Sequence, residues 1–135
     1  VEGSDDPADD LAISPKANAL VLFNPVFDNG PDQGWGSARV GEQFQAYSPA
    51  HNISADDPPA IVFLGSEDKL IPVAVLDRFK AGMIKAGGRC EAFVYEGQGH
   101  GFFNKDPWKT RTLVEADKFL ASLGWIEGAP PLTPP

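Results

Sequence analysis

Three short apolar runs punctuate the chain: ALVLF at residues 19–23, AIVFL at 60–64 and CEAFVY at 90–95. Each is shorter than a typical helix and is bounded by Gly, Pro or Asn, so all three are predicted strands. The first two are apolar at successive positions, as strands are when helices cover both faces of a parallel sheet. The third alternates in part and is predicted to lie nearer an edge. Between the second and third runs, Val73, Leu76, Phe79, Met83 and Ala86 recur at three- and four-residue steps along one face of a helix. Pro72 suits its first turn, and the Gly87-Gly88 pair suits its end. After the third run, Trp108, Leu113, Ala116, Leu120 and Leu123 give a second amphipathic helix, introduced by Asp106-Pro107 and closed by Gly124. The order is strand, long connection, strand, helix, strand, helix, which predicts an α/β fold of three parallel strands with flanking helices and right-handed crossovers. The long connection, residues 24–59, is rich in Gly and Pro and carries one predicted short helix near residues 40–47. A connection of that length is a candidate lid or binding loop.

Composition narrows the picture. The chain has 135 residues, of which 42% are hydrophobic, enough for one small domain. Residues 1–10 are acidic and poor in apolar side chains, and are expected to be a solvated lead-in. Residues 128–135 are rich in Pro, which lacks the donor a helix needs, and are expected to be a tail. Residues 11–127 are left as the folded unit. No run approaches the roughly 18 apolar residues of a membrane span, and no charged-then-apolar leader opens the chain, so neither is expected. The chain begins at Val1 rather than methionine, as a processed product or a piece of a longer chain would. The 11 Lys and Arg residues are scattered and outnumbered by 19 Asp and Glu, for a net charge of -8. Nucleic acid is therefore not an expected partner, because phosphate recognition needs clustered cations. A lone cysteine, Cys90, excludes an intramolecular disulfide and a cysteine-rich zinc site, and leaves the compartment open. The acidic cluster Asp5, Asp6, Asp9 and Asp10 lacks the spacing of a calcium loop and reads as solvated charge.

In open α/β sheets, ligands sit beyond the carboxyl ends of the strands. Two loops there are unusual. The second run is followed by Gly65, Ser66, Glu67 and Asp68 and then Pro72, and the third by Glu96, Gly97, Gln98, Gly99, His100 and Gly101. If those strands are neighbours, roughly 4.8 Å apart, Asp68 and His100 emerge side by side. A histidine acting as a general base needs one fixed tautomer and a counter-charge for its imidazolium, and an adjacent carboxylate supplies both. Glu67 is the neighbouring alternative for that carboxylate. His51, in a polar loop with Asn52, reads as solvated. Trp35, Phe102 and Phe103 read first as core and second as pocket lining.

These residues resemble a known family. Gly65, Asp68 and Pro72, a helix, a strand ending at Tyr95-Glu96-Gly97, and then Gly99-His100-Gly101-Phe102 are similar to the C-terminal half of a serine α/β-hydrolase. The acetyl-esterase and lipase-like group is the nearest in character, with dienelactone hydrolases and prolyl oligopeptidases as relatives. Asn24-Pro25-Val26, Ser48-Pro49 and Pro58-Pro59 resemble that group as well. The resemblance covers about residues 17–123. It implies that Asp68 is the acid and His100 the base of a Ser-His-Asp triad acting on carboxylic esters, with no metal or organic cofactor.

One part of the family pattern is missing. The nucleophile motif G-x-S-x-G occurs nowhere in the chain: Ser4, Ser14, Ser37, Ser48, Ser54, Ser66 and Ser122 all lack its flanking glycines. Cys90 opens its strand, at the opposite end from the two loops, and is not a substitute. The expectation is an incomplete domain, inactive by itself, whose partners are a small-molecule ester and either the N-terminal half of the hydrolase or a second copy of the chain. Two other readings stand beside it: a non-catalytic module that self-associates through the edge of its first strand, and part of a prolyl-oligopeptidase-like peptidase.

Overall fold

A computed structural model describes residues 6–133. Its centre is a three-stranded parallel sheet in the order β1 (Leu20–Phe23), β2 (Ala60–Gly65), β3 (Cys90–Tyr95). The register is regular: Leu20 to Phe23 face Ala60 to Phe63, and Ala60 to Gly65 face Cys90 to Tyr95. The strands predicted from the apolar runs are all present, the first starting one residue later and the second ending one residue later than expected. β3 lies at an edge, as its partial alternation implied.

The pleat explains why β2 is apolar at successive positions. Ala60, Val62 and Leu64 point to one side, where they pack with Val75, Leu76, Phe79 and Met83 of α3 (Val73–Lys85). Ile61 and Phe63 point to the other side, against Phe102 and against Ala116 and Phe119 of α4 (Trp108–Ser122). All six β2 residues are buried. Each large side chain so removed from water contributes roughly 1.5–3 kcal/mol, so this strand and its two helices dominate the stability of the fold.

The helix ends follow from backbone chemistry. Gly87 (φ 91°) and Gly124 (φ 76°) adopt the left-handed conformation that closes a helix. Beyond them Gly88 N–H reaches Met83 O (2.9 Å) and Trp125 N–H reaches Leu120 O (3.1 Å), satisfying carbonyls that the helix leaves free. Pro72 stands just before α3, in extended geometry (φ -62°, ψ 142°), rather than inside its first turn.

Two further expectations need correction. The single short helix near residues 40–47 is instead two one-turn helices, α1 (Ser37–Val40) and α2 (Phe44–Tyr47), joined by a 3-10 turn at Gly41–Gln43. Gly41, at φ 59°, breaks the run. On α4, the buried positions are Thr112, Val114, Ala116 and Phe119, whereas Leu113 is 37% exposed. Trp108, Ala116, Leu120 and Leu123 of the expected face do pack, with Phe119, against the sheet, whereas Leu113 departs from that face and lines a shallow hollow beside β1.

The acidic lead-in expected over residues 1–10 and the tail expected over 128–135 fall partly outside the described residues, Asp5 of the acidic cluster included. Among the described residues, no helix is long and apolar enough to cross a membrane, and no three metal-ligating side chains cluster.

Candidate active site

The two loops beyond β2 and β3 run side by side because the strand pairing continues past the strand ends. Ser66 N–H donates to Tyr95 O (3.0 Å) and Glu67 N–H to Gln98 O (2.9 Å). From the other side, Gly97 N–H donates to Ser66 Oγ (2.8 Å). Each loop is also anchored in the core, the first through buried Ile71 and the second through buried Phe102.

On this platform Asp68 and His100 meet. His100 Nδ1 lies 2.9 Å from Asp68 Oδ2. The Asp68 side chain has no solvent exposure, whereas that of His100 is 45% exposed. A buried carboxylate is tolerated only when its lone pairs are occupied. Here they are: Oδ1 accepts from Leu70 N–H (2.8 Å) and Ile71 N–H (3.1 Å), and Oδ2 accepts from Asn24 Nδ2 (2.8 Å) as well as from the imidazole. A carboxylate facing Nδ1 favours the tautomer with its proton there, so the lone pair sits on Nε2. Among the described residues no hydrogen bond engages Nε2. The arrangement is that of an oriented imidazole able to take a proton from a group brought to its open side.

Of the residues singled out by sequence, Asp68 and His100 come together, and Glu67 does not join them; it is exposed and contributes only its main-chain N–H. Trp35 packs against the core cluster of Phe27 and Phe79, with the Arg39 guanidinium 4.9 Å from its ring. Phe102 is buried beside Trp108 and Tyr95. Phe103 packs against Phe23 with the rings tilted and their centroids 4.8 Å apart and, with Leu113 and Thr112, lines a hollow of about 360 Å³. Cys90 is buried at the start of β3, the far end from His100, and desolvation pushes its thiol pKa up, which disfavours the nucleophilic thiolate.

Two contacts escaped the sequence reading. His51 is not simply solvated: its Nε2 is 3.4 Å from Asp28 Oδ1, and its ring meets Phe44 edge-on. Asn24, noted only as part of a motif, is buried and bonded to Asp68. Its position beside Asp68 depends on the β1–β2 register, which no local pattern encodes.

A parallel sheet with helices on both faces and these loops at its carboxyl ends is part of an α/β-hydrolase fold. Residues 15–127 match the dienelactone hydrolase family, more than half of the chain, and the chain belongs to that family. Among solved structures it is similar to a thermophilic esterase, esterase 2 of the planctomycete Thermogutta terrifontis. With the propionate-bound form of that enzyme it shares 36% identity at a TM-score of 0.83, over 94% of this chain and 50% of that one. With the form phosphorylated by paraoxon the values are 38% and 0.81, over 91% and 46%. With the butyrate-bound form they are 35% and 0.81, over 93% and 51%. The chain thus spans about half the length of the esterase structures it matches. No functionally curated protein matches this sequence.

Proposed function

We propose that this chain is the acid–base portion of a serine-dependent carboxylic-ester hydrolase. The observation that carries the reading is the 2.9 Å contact between His100 Nδ1 and a fully buried Asp68 carboxylate, on loops that leave adjacent strands. In this reading Asp68 holds His100 with Nδ1 protonated. His100 Nε2 then removes the proton of a serine hydroxyl as the serine oxygen attacks the ester carbonyl. The same Nε2–H is afterwards given to the departing alkoxide as the acyl-enzyme forms. Water repeats the cycle: Nε2 takes its proton as the water oxygen bonds to the acyl carbon, the acyl–serine bond then breaks to release the acid, and the proton passes to the serine oxygen. In relays of this kind, converting the acid to its amide lowers kcat about 10⁴-fold, so the buried carboxylate is central rather than auxiliary.

The serine is assigned to an upstream half carrying G-x-S-x-G, which would lie along the free edge of β1 and over the hollow of Phe23, Phe103 and Leu113. The similar esterase holds propionate and butyrate, which supports short acyl groups for the substrate class. The test is hydrolysis of nitrophenyl acetate. The chain alone is expected at background. Joined to a G-x-S-x-G half it is expected to turn over, and His100→Ala is expected to abolish that turnover. Turnover that survives His100→Ala overturns the reading.

A second reading, self-association without catalysis, is favoured by the same edge: β1 has no strand on its outer side among the described residues, and Leu113 is 37% exposed beside it. Sedimentation of the purified chain tests the self-association, which the enzyme reading also accommodates through a second copy, so the turnover assay decides between the two. A dimer that Leu113→Glu converts to monomer supports self-association, and a monomeric wild-type chain removes it.

A further inference from the structure

We propose that Asn24 is a positioning residue for the acid–base pair, its side-chain amide fixing the carboxylate of Asp68 so that one oxygen faces His100. The proposal rests on the relay reading above and adds a residue from a third element to it.

Asn24 follows directly on β1 and is held there by its own N–H, which donates to Phe63 O (3.0 Å) and continues the strand pairing by one residue. Its backbone is left-handed, at φ 46°. That conformation is uncommon for a residue with a Cβ, and Gly adopts it with least strain. A residue chosen for the turn alone would be Gly, or an Asn with its amide in water. Asn24 instead is 6% exposed, and its Nδ2 reaches 44 residues along the chain to Asp68 Oδ2 at 2.8 Å. Its Oδ1 is buried with no hydrogen-bond partner among the described residues. Burying an amide with one end unsatisfied is unfavourable, so local comfort does not explain this side chain. Reversing the amide would set its oxygen against a carboxylate oxygen, so the Nδ2 donor is fixed toward Asp68.

The effect on Asp68 is geometric. Leu70 and Ile71 hold Oδ1 from the carboxylate's own loop, and Asn24 holds Oδ2 from β1. With donors on both oxygens from two different elements, the carboxylate plane cannot tip, and the remaining lone pair of Oδ2 is presented to Nδ1. Without Asn24, the imidazole is the sole partner of Oδ2 and must orient the group that is supposed to orient it.

The test reads the His100 tautomer directly, from ring ¹⁵N shifts of the histidine-labelled chain at a pH where the imidazole is neutral. The wild-type chain is expected to show predominantly Nδ1–H. Asn24→Gly keeps the backbone conformation and removes the amide, and most of that preference is expected to be lost, toward the ratio of free imidazole, while amide dispersion reports an intact fold. Asn24→Asp keeps the size but sets a second carboxylate against the first, and the same loss is expected; it decides the matter if the glycine variant does not fold. Asp68→Asn is the control for the relay itself. If both Asn24 variants retain the tautomer while Asp68→Asn loses it, the positioning role is overturned and the relay stands. If Asp68→Asn also retains it, the relay reading fails, and this proposal with it.

Discussion

Gly65 and Gln98 touch backbone to backbone: a Cβ on Gly65 would lie 2.1 Å from Gln98 O and 2.6 Å from its carbonyl carbon. No side chain is accommodated there, because the obstacle is main chain and cannot rotate away. This contact sets the distance between the loop bearing Asp68 and the loop bearing His100.

Gly65→Ala is therefore expected to push the two loops apart. Overpacking of this kind costs about 1–3 kcal/mol. Urea unfolding is expected to show that loss in the midpoint with little change in slope, and the His100 ring ¹⁵N shifts are expected to show a weakened Nδ1–H preference. An unchanged midpoint would mean that the loops yield without strain.

Ser66→Ala removes the acceptor of Gly97 N–H, one of three hydrogen bonds that extend the β2–β3 pairing into the loops. Stability is expected to fall by about 0.5–1.5 kcal/mol. The amide of Gly97 is expected to exchange faster with solvent than in the wild type, while the amides within β2 are unaffected.

Cys90 is expected to be inert in the folded chain, since desolvation raises its thiol pKa and its side chain is buried. Alkylation by iodoacetamide at neutral pH is expected to be slow, and to become rapid on addition of denaturant. Rapid labelling of the native chain would show that the start of β3 opens readily.

Asp56 offers a pH signature. Its carboxyl is held down from an ordinary 3.8 to about 2, first by the hydrogen bond from the Lys16 ammonium and next by the Ser54 hydroxyl. A carboxylate lowered on folding stabilises the native state fully above its unfolded value, near 3.8, and the contribution is lost as pH falls through about 2. Both partners are exposed, so the contribution to stability is small. A side-chain ¹³C titration is expected to place the midpoint near 2, and Lys16→Ala to move it up toward the ordinary value.

The parts of the fold that were legible in the sequence are those set by local pattern. β2 declares itself because both its faces are covered, and α3 because Gly87 and Gly88 stop an unbroken apolar stripe. Asp68 and His100 could be paired in advance because each follows a strand, and neighbouring strands bring their following loops together. What was not legible depends on which surface a helix or loop turns inward. Leu113 has the spacing of the face on which Trp108, Ala116, Leu120 and Leu123 pack against the sheet, yet it is itself 37% exposed. His51 looks solvated in sequence because Asp28 is remote along the chain, and only the folding of the 24–59 connection brings them to 3.4 Å. Asn24 is legible only as part of a motif, because its partner Asp68 lies 44 residues away and the β1–β2 register alone brings the two to 2.8 Å.

β1 has four residues, each only half-buried, on an edge of the sheet, while its neighbour β2 is buried throughout. Elements with less buried surface open first in the native state, before the whole molecule unfolds. Amides of Leu22 and Asn24 are thus expected to exchange in openings that leave those of Val62 and Leu64 protected. Each such opening carries Asn24 away from Asp68 while the strands that bear the Asp68 and His100 loops stay intact. On mild heating the chain is then expected to lose the alignment of its imidazole by degrees, well below the temperature at which it melts, so that the site has a thermal stability of its own.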